Sequence, residues 1–449
     1  MELIKTDLVV IGGGPAGICA AVAGSRNGVN TFLIEKNGFL GGTATIVLGF
    51  SGFKHRSGER VVGGIGEELV KRMKKRIPEI DHFLDSVAES ITPIEPEVFK
   101  IVNSEIIVDS GVNTLLHTFF TDVIVDNNKI KAVIVENKSG KMVIEGKIFI
   151  DCTGDGDLAA RSGVPYKKGD FLGNLQPVTM TFRLGNFNNN DFVKYIKDNP
   201  EELEIASTWT DGYTVEHFTK NSKYPFFKGL NKLVKRVENE TGYMLPRDRV
   251  HFIVLPIQGQ IQINTCRSIN IDGTNVYDLT RAEFEGRKQV FEIAKFLKNH
   301  VPGFKKTYLI DTSAFIGIRE TRRICGLYEL CKDDVINGKR FNDDIARGTY
   351  PVDIHSTTGK DMSMIRVKRP YGIPYRCITP LTMNNLLMSG RCLSASREAL
   401  GSVRVIPTSM ATGEAAGTAG AISIVDNVLV KDIDIGKLRK TLKTQNVVL

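Results

Sequence analysis

The sequence predicts an α/β fold: a Rossmann-like domain that includes a β-meander, joined to a second domain of mixed α+β structure. Residues 7–35 read as a strand, a glycine-rich turn, a helix and a second strand, which is the pattern of a parallel βαβ unit. Residues 113–150 alternate short apolar and polar runs broken by turn residues, as antiparallel hairpins do. From about residue 166 to 383 the chain becomes aromatic, Asn-rich and Lys-rich, which indicates a separate domain.

Length and composition are those of an ordinary globular protein. The 449 residues are 42% hydrophobic and 24% charged, enough to bury a large core in two or three domains. The N-terminus lacks the features of a signal peptide, and we find no uninterrupted apolar run of roughly 18 residues. Seven scattered cysteines without a C-x-x-C pair argue against a disulfide framework or a metal site. We therefore expect a cytoplasmic protein with no membrane span and no bound metal.

The net charge of +8 admits an anionic partner such as RNA. However, the basic cluster at residues 71–76 lies between Ile65, Leu69 and Met73, whose spacing predicts an amphipathic helix with a charged outer face. No basic tract carries interleaved aromatic residues that could stack bases. The sequence therefore disfavours a nucleic-acid partner.

The remaining elements follow from periodicity. A helix is predicted over Glu95–Ser110, and the apolar run Lys147–Asp151 is typical of a buried parallel strand. Another buried strand, Asn385–Ser389, precedes a Gly-Arg pair and a helix of small residues at Ser409–Val425. These elements predict a discontinuous nucleotide-binding domain at residues 1–50, 95–165 and 384–449. Residues 51–94 and 166–383 then form a substrate or cap domain.

The glycine-rich turn after the first strand matches G-x-G-x-x-G. Gly12 permits the tight turn, Gly14 lets the backbone approach a pyrophosphate, and Gly17 lets the helix pack closely on the sheet. The free N–H groups at the helix N-terminus favour phosphate. Glu35 ends the second strand, where a carboxylate accepts hydrogen bonds from the ribose hydroxyls of a dinucleotide and repels a 2′-phosphate.

The fingerprint serves both NAD and FAD, and three further segments separate the two. These are the loop Gly41-Gly42-Thr43, the turn Thr153-Gly154-Asp155 at the end of a buried strand, and Gly390-Arg391 with the helix around Met410-Ala411-Thr412. With these residues, the chain resembles the FAD-dependent oxidoreductase family that shares the two-domain fold of glutathione reductase and p-hydroxybenzoate hydroxylase. The resemblance covers nearly the whole chain and is weakest at about 170–310.

This resemblance implies an enzyme with FAD as its cofactor. In the family the first loop lines the diphosphate and ribityl chain, the second turn lies beside the adenine half, and a helix N-terminus near Met410–Thr412 lies under the flavin. Where many relatives have Gly-Asp, this chain has Gly390-Arg391, which leaves the partner of the ribityl hydroxyls open. The implied cofactor-binding residues are Ile11, Gly12, Gly14, Pro15, Ala16, Gly17, Glu35, Lys36, Gly41, Gly42, Thr43, Thr153, Gly154, Asp155, Gly390, Arg391, Met410, Ala411 and Thr412.

Motifs that the sequence lacks limit the cofactors and reactions that it predicts. The sequence has no second strand-preceded G-x-G-x-x-G, so no dedicated NAD(P)H domain is expected, and electrons pass between a substrate and another small molecule, a quinone or a protein partner. The lack of C-x-x-C argues against a disulfide reductase. No His occurs within Gly41–Thr45, where some relatives attach their flavin, so FAD is expected to be non-covalent.

The candidate catalytic residues are Arg319, Arg404 and His355. Arginine forks bind carboxylates, so Arg319 suggests an anionic substrate, although Arg319 and Glu320 could instead form ion pairs that hold the domains together. Arg404 could steady an anionic substrate or the reduced flavin, or it could form a structural ion pair. His355 lies on the polar face of a predicted strand and could act as an acid or base of near-neutral pKa, although a lone His is often only hydrogen-bonded. Weaker candidates are Tyr371, Tyr375 and His55.

The leading hypothesis is a flavoenzyme that transfers a hydride between flavin N5 and a small, carboxylate-bearing substrate. Two alternatives remain open. One is an FAD-binding tRNA-modification protein, consistent with the pI of about 9.0. The other is a flavin subunit that only relays electrons to an acceptor partner. The sequence also leaves a homo-oligomer open.

Overall fold

The computed structural model describes residues 2–85, 87–204, 215–220, 226–358 and 362–449. Parts of the predicted substrate domain, at residues 205–214, 221–225 and 359–361, lie outside these described residues. The architecture is mixed α/β with a parallel sheet at its centre, so the predicted fold class is confirmed.

The strands are mostly short. In chain order they are β1 (Glu2–Lys5), β2 (Leu8–Ile11), β3 (Thr31–Ile34), β4 (Phe50–Ser51), β5 (Phe83–Asp85), β6 (Glu89–Thr92), β7 (Asn113–Leu115), β8 (Phe119–Asp126), β9 (Lys129–Asn137), β10 (Gly140–Glu145), β11 (Ile148–Asp151), β12 (Tyr166–Lys168), β13 (Phe182–Gly185), β14 (Phe226–Gly229), β15 (Val250–Val254), β16 (Ile261–Ile263), β17 (Tyr308–Thr312), β18 (Arg322–Ile324), β19 (Asp344–Gly348), β20 (Val352–His355), β21 (Met362–Ile365), β22 (Tyr371–Pro374) and β23 (Leu386–Met388).

The described chain also forms twelve α-helices. They are α1 (Pro15–Arg26), α2 (Gly64–Arg76), α3 (Pro96–Asp109), α4 (Asp157–Arg161), α5 (Asn189–Asp198), α6 (Val215–Lys220), α7 (Asn231–Thr241), α8 (Val276–His300), α9 (Lys332–Ile336), α10 (Arg397–Val403), α11 (Ile406–Asp426) and α12 (Ile435–Thr444). The helix predicted at Glu95–Ser110 is α3, and the Glu95 side chain accepts a hydrogen bond from the Val98 N–H as its N-cap. Among the described helices, none is long and apolar enough to span a bilayer.

The central sheet has five strands in the order β23-β11-β2-β3-β7, and every neighbouring pair is parallel. Strands β2, β11 and β23 are wholly buried. This burial explains their nearly continuous apolar sequences, since both faces of a parallel sheet are covered by other elements. The predicted strands at 147–151 and 385–389 are thus confirmed as β11 and β23.

Helices α1 and α11 pack against each other on one face of this sheet. Gly413 and Gly417 face the α1 backbone, where an added Cβ would lie 2.1 Å from the Ala16 oxygen and 2.0 Å from the Ala20 oxygen. Gly17 lies equally close to the glycine turn between β2 and α1. An added Cβ at Gly17 would lie 1.7 Å from the Gly12 oxygen. Only glycine allows backbones to approach this closely.

The meander is smaller than the sequence predicted. Strands β8, β9 and β10 form successive antiparallel hairpins, and β1 joins β10 in parallel. The prediction was wrong for Asn113–Leu115, which is β7 of the parallel sheet. Three alternating residues cannot show whether the partner strand is parallel or antiparallel, because both sheet types have a side-chain period of two.

The second domain is built on an antiparallel sheet, β14-β15-β16-β13-β17, together with α5, α7 and α8. Its core is aromatic. Phe192 contacts Phe227 and Phe252 edge-to-face, with ring centroids 4.9 and 5.1 Å apart. The aromatic composition seen in the sequence therefore supplies the core of this domain, where such edge-to-face pairs are favourable.

Smaller units complete the fold. The three-stranded sheet β4-β6-β5 and the two-stranded ladders β12-β18, β19-β22 and β20-β21 are separate from the larger sheets. Helix α2 buries Ile65, Leu69 and Met73 and exposes its lysines, as predicted, and this apolar face belongs to the same core as α1 and α11. Strands β19 and β22 also pack into that core. The predicted domain division stays a prediction, and this packing favours a second domain smaller than residues 51–94 and 166–383.

The N-terminus of α2 is capped from α11. The Glu414 carboxylate accepts a hydrogen bond of 2.8 Å from the Ile65 N–H and is 1% exposed. Burial raises the pKa of Glu414 to about 8, while the hydrogen bond from Ile65 opposes the shift. The group is therefore protonated in the folded protein at neutral pH.

We predict that Glu414→Gln makes folding less sensitive to alkaline pH. A carboxyl whose pKa is raised from about 4.5 to about 8 on folding contributes its full stability below pH 4.5 and loses it as the pH rises toward 8. The stability of the wild type should fall relative to the variant by roughly 1.4 kcal/mol per pH unit in this window. Denaturant titrations at several pH values measure the difference, and parallel pH curves for the two proteins would contradict it.

Candidate functional site

A cavity of about 1110 Å³ runs between the central sheet and the second domain. It is larger than the pockets of about 300–1,000 Å³ that hold drug-sized ligands. Most of the predicted site residues line it: Ile11, Gly12, Gly14, Pro15, Ala16, Glu35, Lys36, Gly42, Thr43, Thr153, Gly154, Asp155, Arg319, His355, Gly390, Arg391 and Arg404. The predicted residues Gly17, Gly41, Met410, Ala411 and Thr412 do not line it.

The glycine turn between β2 and α1 forms one end of the cavity. Gly14 is the N-cap of α1, makes no side-chain cap, and an added Cβ at Gly14 would meet nothing within 4 Å. The space in front of Gly14 is thus open to the cavity, and the N-terminus of α1 offers it unpaired N–H groups. This geometry fits a pyrophosphate.

Glu35 is held rigidly at the end of β3. Its two carboxylate oxygens accept hydrogen bonds from the Gly13 N–H at 2.6 Å and the Asn37 N–H at 2.7 Å. The Asn37 side chain donates a third bond at 2.6 Å. Glu35 lines the cavity next to the glycine turn, where a carboxylate suits a ribose hydroxyl.

The loop Gly41-Gly42-Thr43 leads into a short 3₁₀ helix, Gly42–Thr45. Gly41 has φ +111° and packs behind the loop, since its Cβ would lie 2.8–3.1 Å from Thr45, Asn103 and Phe99. Gly42 turns toward Gly14, and its Cβ would lie 3.0 Å from the Gly14 Cα. Gly41 therefore shapes the loop, while Gly42 and Thr43 line the cavity.

The turn Thr153-Gly154-Asp155 contacts the Gly390-Arg391 pair. The Arg391 guanidinium donates to the Asp155 carboxylate at 2.8 Å and to the Thr321 hydroxyl at 3.2 Å. The position where relatives carry Gly-Asp is thus an ion pair that joins two segments predicted to bind the cofactor. The carboxylate next to the Gly390-Arg391 pair therefore comes from Asp155, in a different segment of the chain.

The small-residue helix α11 begins at Ile406, so the prediction that it starts at Met410–Thr412 was wrong. Pro407 lies in its first turn, and this proline was a signal of the true start. Val405 and Ile406 line the cavity. Thr412 is buried further along α11, and its hydroxyl accepts a hydrogen bond from the Ser389 hydroxyl at 3.0 Å, which supports the Gly390 turn.

The predicted catalytic residues meet at the other end of the cavity. Arg404 donates to the Asp353 carboxylate at 3.1 Å, and His355 Nε2 lies 3.4 Å from the same carboxylate. Arg319 donates to the Pro177 carbonyl oxygen. Among the described residues, the Glu320 carboxylate pairs with Arg397 and Arg323 rather than with Arg319.

Burial and mutual repulsion set the charges at this end. Burial, together with repulsion from Arg404, lowers the pKa of Arg319 to about 9. Burial also lowers the pKa of His355 to about 3, and Arg319 adds to this shift. Burial opposes ionisation of Asp353, but His355, Arg404 and Arg319 outweigh it and hold the pKa of Asp353 well below its usual value. The expectation of a near-neutral pKa for His355 was therefore wrong.

Two residues of the second domain were missed by the sequence analysis. Arg247 and His251 line the cavity beside Asp353 and His355. They lie in the region of weakest resemblance, and no local motif marks them. Tyr371, Tyr375 and His55 do not line the cavity. Tyr371 contacts the Ser402 hydroxyl and Tyr375 donates to the Val430 carbonyl, both at 2.7 Å and both buried.

The parallel sheet, the glycine turn and the shared cavity define a two-domain dinucleotide-binding enzyme. The chain belongs to the FAD dependent oxidoreductase family, whose family model matches residues 7–442. Its cofactor is FAD, and the resemblance predicted from the sequence is confirmed.

Individual relatives match smaller parts of the chain. Thiamine thiazole synthase of Methanococcus vannielii is 28% identical over 170 residues, which cover 34% of this chain and 58% of that protein. The 4-oxocyclohex-2-ene-1-carboxylate 5-dehydrogenase of Sinomonas cyclohexanicum is 29% identical over 102 residues, 21% of this chain and 17% of that protein. A geranylgeranyl bacteriochlorophyll reductase-like protein from Thermoplasma acidophilum has the same fold, with a TM-score of 0.50 and 14% identity over 99% of this chain and 84% of that chain.

We predict that Gly14→Ala weakens FAD binding without weakening the fold. The new methyl group meets no protein atom but occupies the space in front of the α1 N-terminus. Overpacking of this kind costs about 1–3 kcal/mol, so the affinity for FAD should fall about tenfold or more. Fluorescence titration of the apoprotein with FAD measures the affinity, and a thermal melt measures the fold.

Two variants serve as controls for this experiment. Gly436→Ala, on the exposed surface of α12 and outside the cavity, should leave the affinity for FAD unchanged. Gly17→Ala should lower the melting temperature, because its Cβ would lie 1.7 Å from the Gly12 oxygen. Unchanged FAD affinity in Gly14→Ala would show that the pyrophosphate does not approach this residue.

We predict that His355 stays neutral well below pH 6. Its imidazole signal, identified by its absence in His355→Gln, should keep the chemical shift of the neutral ring as the pH falls from about 8 to about 5, because burial and Arg319 lower its pKa to about 3. Carbon-labelled histidine and NMR titration provide the measurement. A midpoint near 6.5 would contradict the prediction.

Proposed function

We propose that this protein is an oxidoreductase that transfers a hydride between FAD and a small substrate that carries a carboxylate. The observation that supports this most is the position of Arg319 and Arg404. Both line the same cavity as the glycine turn, and both are buried or nearly so. Buried guanidinium groups at the end of a ligand cavity favour an anionic ligand, because a bidentate carboxylate offsets the cost of burying the charge.

When bound, FAD supplies the group that accepts or donates the hydride. The chain itself positions the substrate. In the proposal Arg319 and Arg404 bind the substrate carboxylate, and Asp353 orients Arg404 through their contact of 3.1 Å. The Pro177 carbonyl fixes Arg319 in the same way. Holding a substrate in one orientation contributes strongly to the rate of a transfer reaction.

His355 is the proposed proton acceptor or donor. Its Nε2 faces Asp353, whereas its Nδ1 is buried and has no hydrogen-bond partner among the described residues. The repulsion from Arg319 that lowers the pKa of His355 would be offset by a bound carboxylate. A bound anion therefore raises the pKa of His355 and makes it a better proton acceptor in the complex than in the free protein.

One relative is consistent with this substrate class. The Sinomonas cyclohexanicum protein is by name a dehydrogenase of a carboxylate, although it matches only 102 residues of this chain. The proposal therefore depends on the arginines of this chain rather than on that likeness. The alternatives of tRNA modification and electron relay predict no flavin reduction by an organic acid.

Anaerobic mixing tests the proposal. The FAD-loaded protein is mixed with a panel of hydroxy acids, amino acids and saturated carboxylates, and the absorbance of oxidised flavin is followed. At least one carboxylate should bleach the flavin. Arg404→Gln should slow this bleaching about 100-fold, because truncating one partner of a buried charge pair costs about 2–5 kcal/mol.

Arg281→Gln provides the matched control. Arg281 lies on the outer surface of α8 with 45% of its side chain exposed, and it should leave the bleaching rate unchanged. Equal rates for Arg404→Gln and the wild type would show that Arg404 does not bind the substrate. If no carboxylate bleaches the flavin while neutral alcohols or amines do, the proposed substrate class is wrong.

A further inference from the structure

Arg247 is a buried arginine that the proposed reaction does not use. It lies between α7 and β15 in the second domain, is 1% exposed and lines the cavity. Its Nε and Nη2 atoms have no hydrogen-bond partner among the described residues. These two atoms form the side-on edge of the guanidinium group, the edge that binds an anion through two parallel hydrogen bonds.

The carboxylates near Arg247 are already engaged. Asp248 pairs with Arg249 at 2.7 Å, and Glu204 pairs with Arg249 and with Lys228. Asp353 pairs with Arg404. Burial and repulsion from Arg267 lower the pKa of Arg247 to about 10, so the group is still charged at neutral pH.

The charges at this end of the cavity do not balance. Three guanidinium groups, Arg247, Arg319 and Arg404, line it, and Asp353 is the carboxylate that lies among them. The other lining carboxylate of the second domain, Glu283, is held by Arg287 and the Ile316 N–H. Within the described part of the chain, these three guanidinium groups therefore exceed the one carboxylate among them, Asp353, by two positive charges. His251 adds a further buried ring atom, Nε2, without a hydrogen-bond partner among the described residues.

We propose that Arg247 binds a second negative charge of the substrate, so that the substrate is a dianion rather than a monocarboxylate. This inference rests on the proposed function, because it places the first carboxylate at Arg319 and Arg404. A dianion neutralises the two excess charges, whereas a monocarboxylate leaves one guanidinium buried and unpaired, which is costly. The second charge belongs to a second carboxylate or to a phosphate group, which offer the same paired acceptor oxygens.

Binding measurements on the FAD-loaded protein test this inference. Calorimetry compares dicarboxylates (malonate, succinate and glutarate) with monocarboxylates of the same length (propionate, butyrate and valerate) and with phosphoglycolate, which carries a carboxylate and a phosphate. At least one dianion should bind the wild type about tenfold or more tightly than its monoanionic counterpart. Whether a dicarboxylate or phosphoglycolate binds more tightly identifies the second group.

The variants Arg247→Met and Arg247→Lys complete the test. Arg247→Met should abolish the preference for dianions by lowering their affinity far more than that of monocarboxylates, and it should raise the melting temperature because an unpaired buried charge is removed. Arg247→Lys should retain part of the preference, and it keeps the charge should the methionine variant fail to fold. Arg281→Met on the exposed face of α8 is the control and should bind both classes as the wild type does.

The outcomes separate the two proposals. Equal affinity for dianions and monocarboxylates in the wild type, or a preference that persists in both Arg247 variants, overturns this inference and leaves the proposed function standing. A structural role for Arg247 would lower both affinities and the melting temperature together, and that result also overturns it. Binding of neither class overturns the proposed function and this inference with it.

Discussion

The contact between α1 and α11 is the constraint on which the rest of the structure depends. Gly413 and Gly417 let α11 approach the Ala16 and Ala20 carbonyl groups of α1 at distances that exclude any Cβ atom. Because the two backbones touch, Pro15 and Ile406, which begin the two helices, are both held on the wall of one cavity. The dinucleotide fingerprint near the N-terminus and the C-terminal helix thus act together, although almost 400 residues separate them.

At the opposite end of the cavity, electrostatic repulsion rather than close backbone packing is the dominant interaction. Among the described residues, positive charge is concentrated there without an equal number of carboxylates. Arg404 and Arg247 both repel the buried guanidinium group of Arg319. Folding has to offset this repulsion, and the two large hydrophobic cores supply the favourable free energy. Buried groups of like charge lower the stability of the free protein. Such a loss of stability is typical of binding sites, where a ligand of opposite charge offsets the repulsion. The proposed function therefore assigns the cofactor phosphates to one end of the cavity and the negative charge of the substrate to the other.

Local sequence signals were sufficient for much of the fold. The glycine turn, strands β2, β11 and β23, and helices α2 and α3 follow from short-range patterns, and the structure confirms them. Errors arose where a local pattern fits two structures. Asn113–Leu115 alternates like a hairpin strand yet pairs in parallel with β3. The run of small residues predicts that α11 starts near Met410, yet such residues mark no helix boundary, and Pro407 already lies in the first turn.

The sequence by itself determined the class of the protein, because a strand, three glycines and an acidic residue within 30 positions form a unit whose geometry is local. It also predicted most of the residues that line the cavity near the glycine turn, since each lies in a short motif of glycines and turn residues. Only the tertiary structure brings three arginines together at the other end of the cavity. Arg247 comes from the second domain, Arg319 follows it after about 70 residues, and Arg404 precedes the last long helix. Their pKa shifts depend on burial and on mutual distance, and both quantities exist only after the chain has folded.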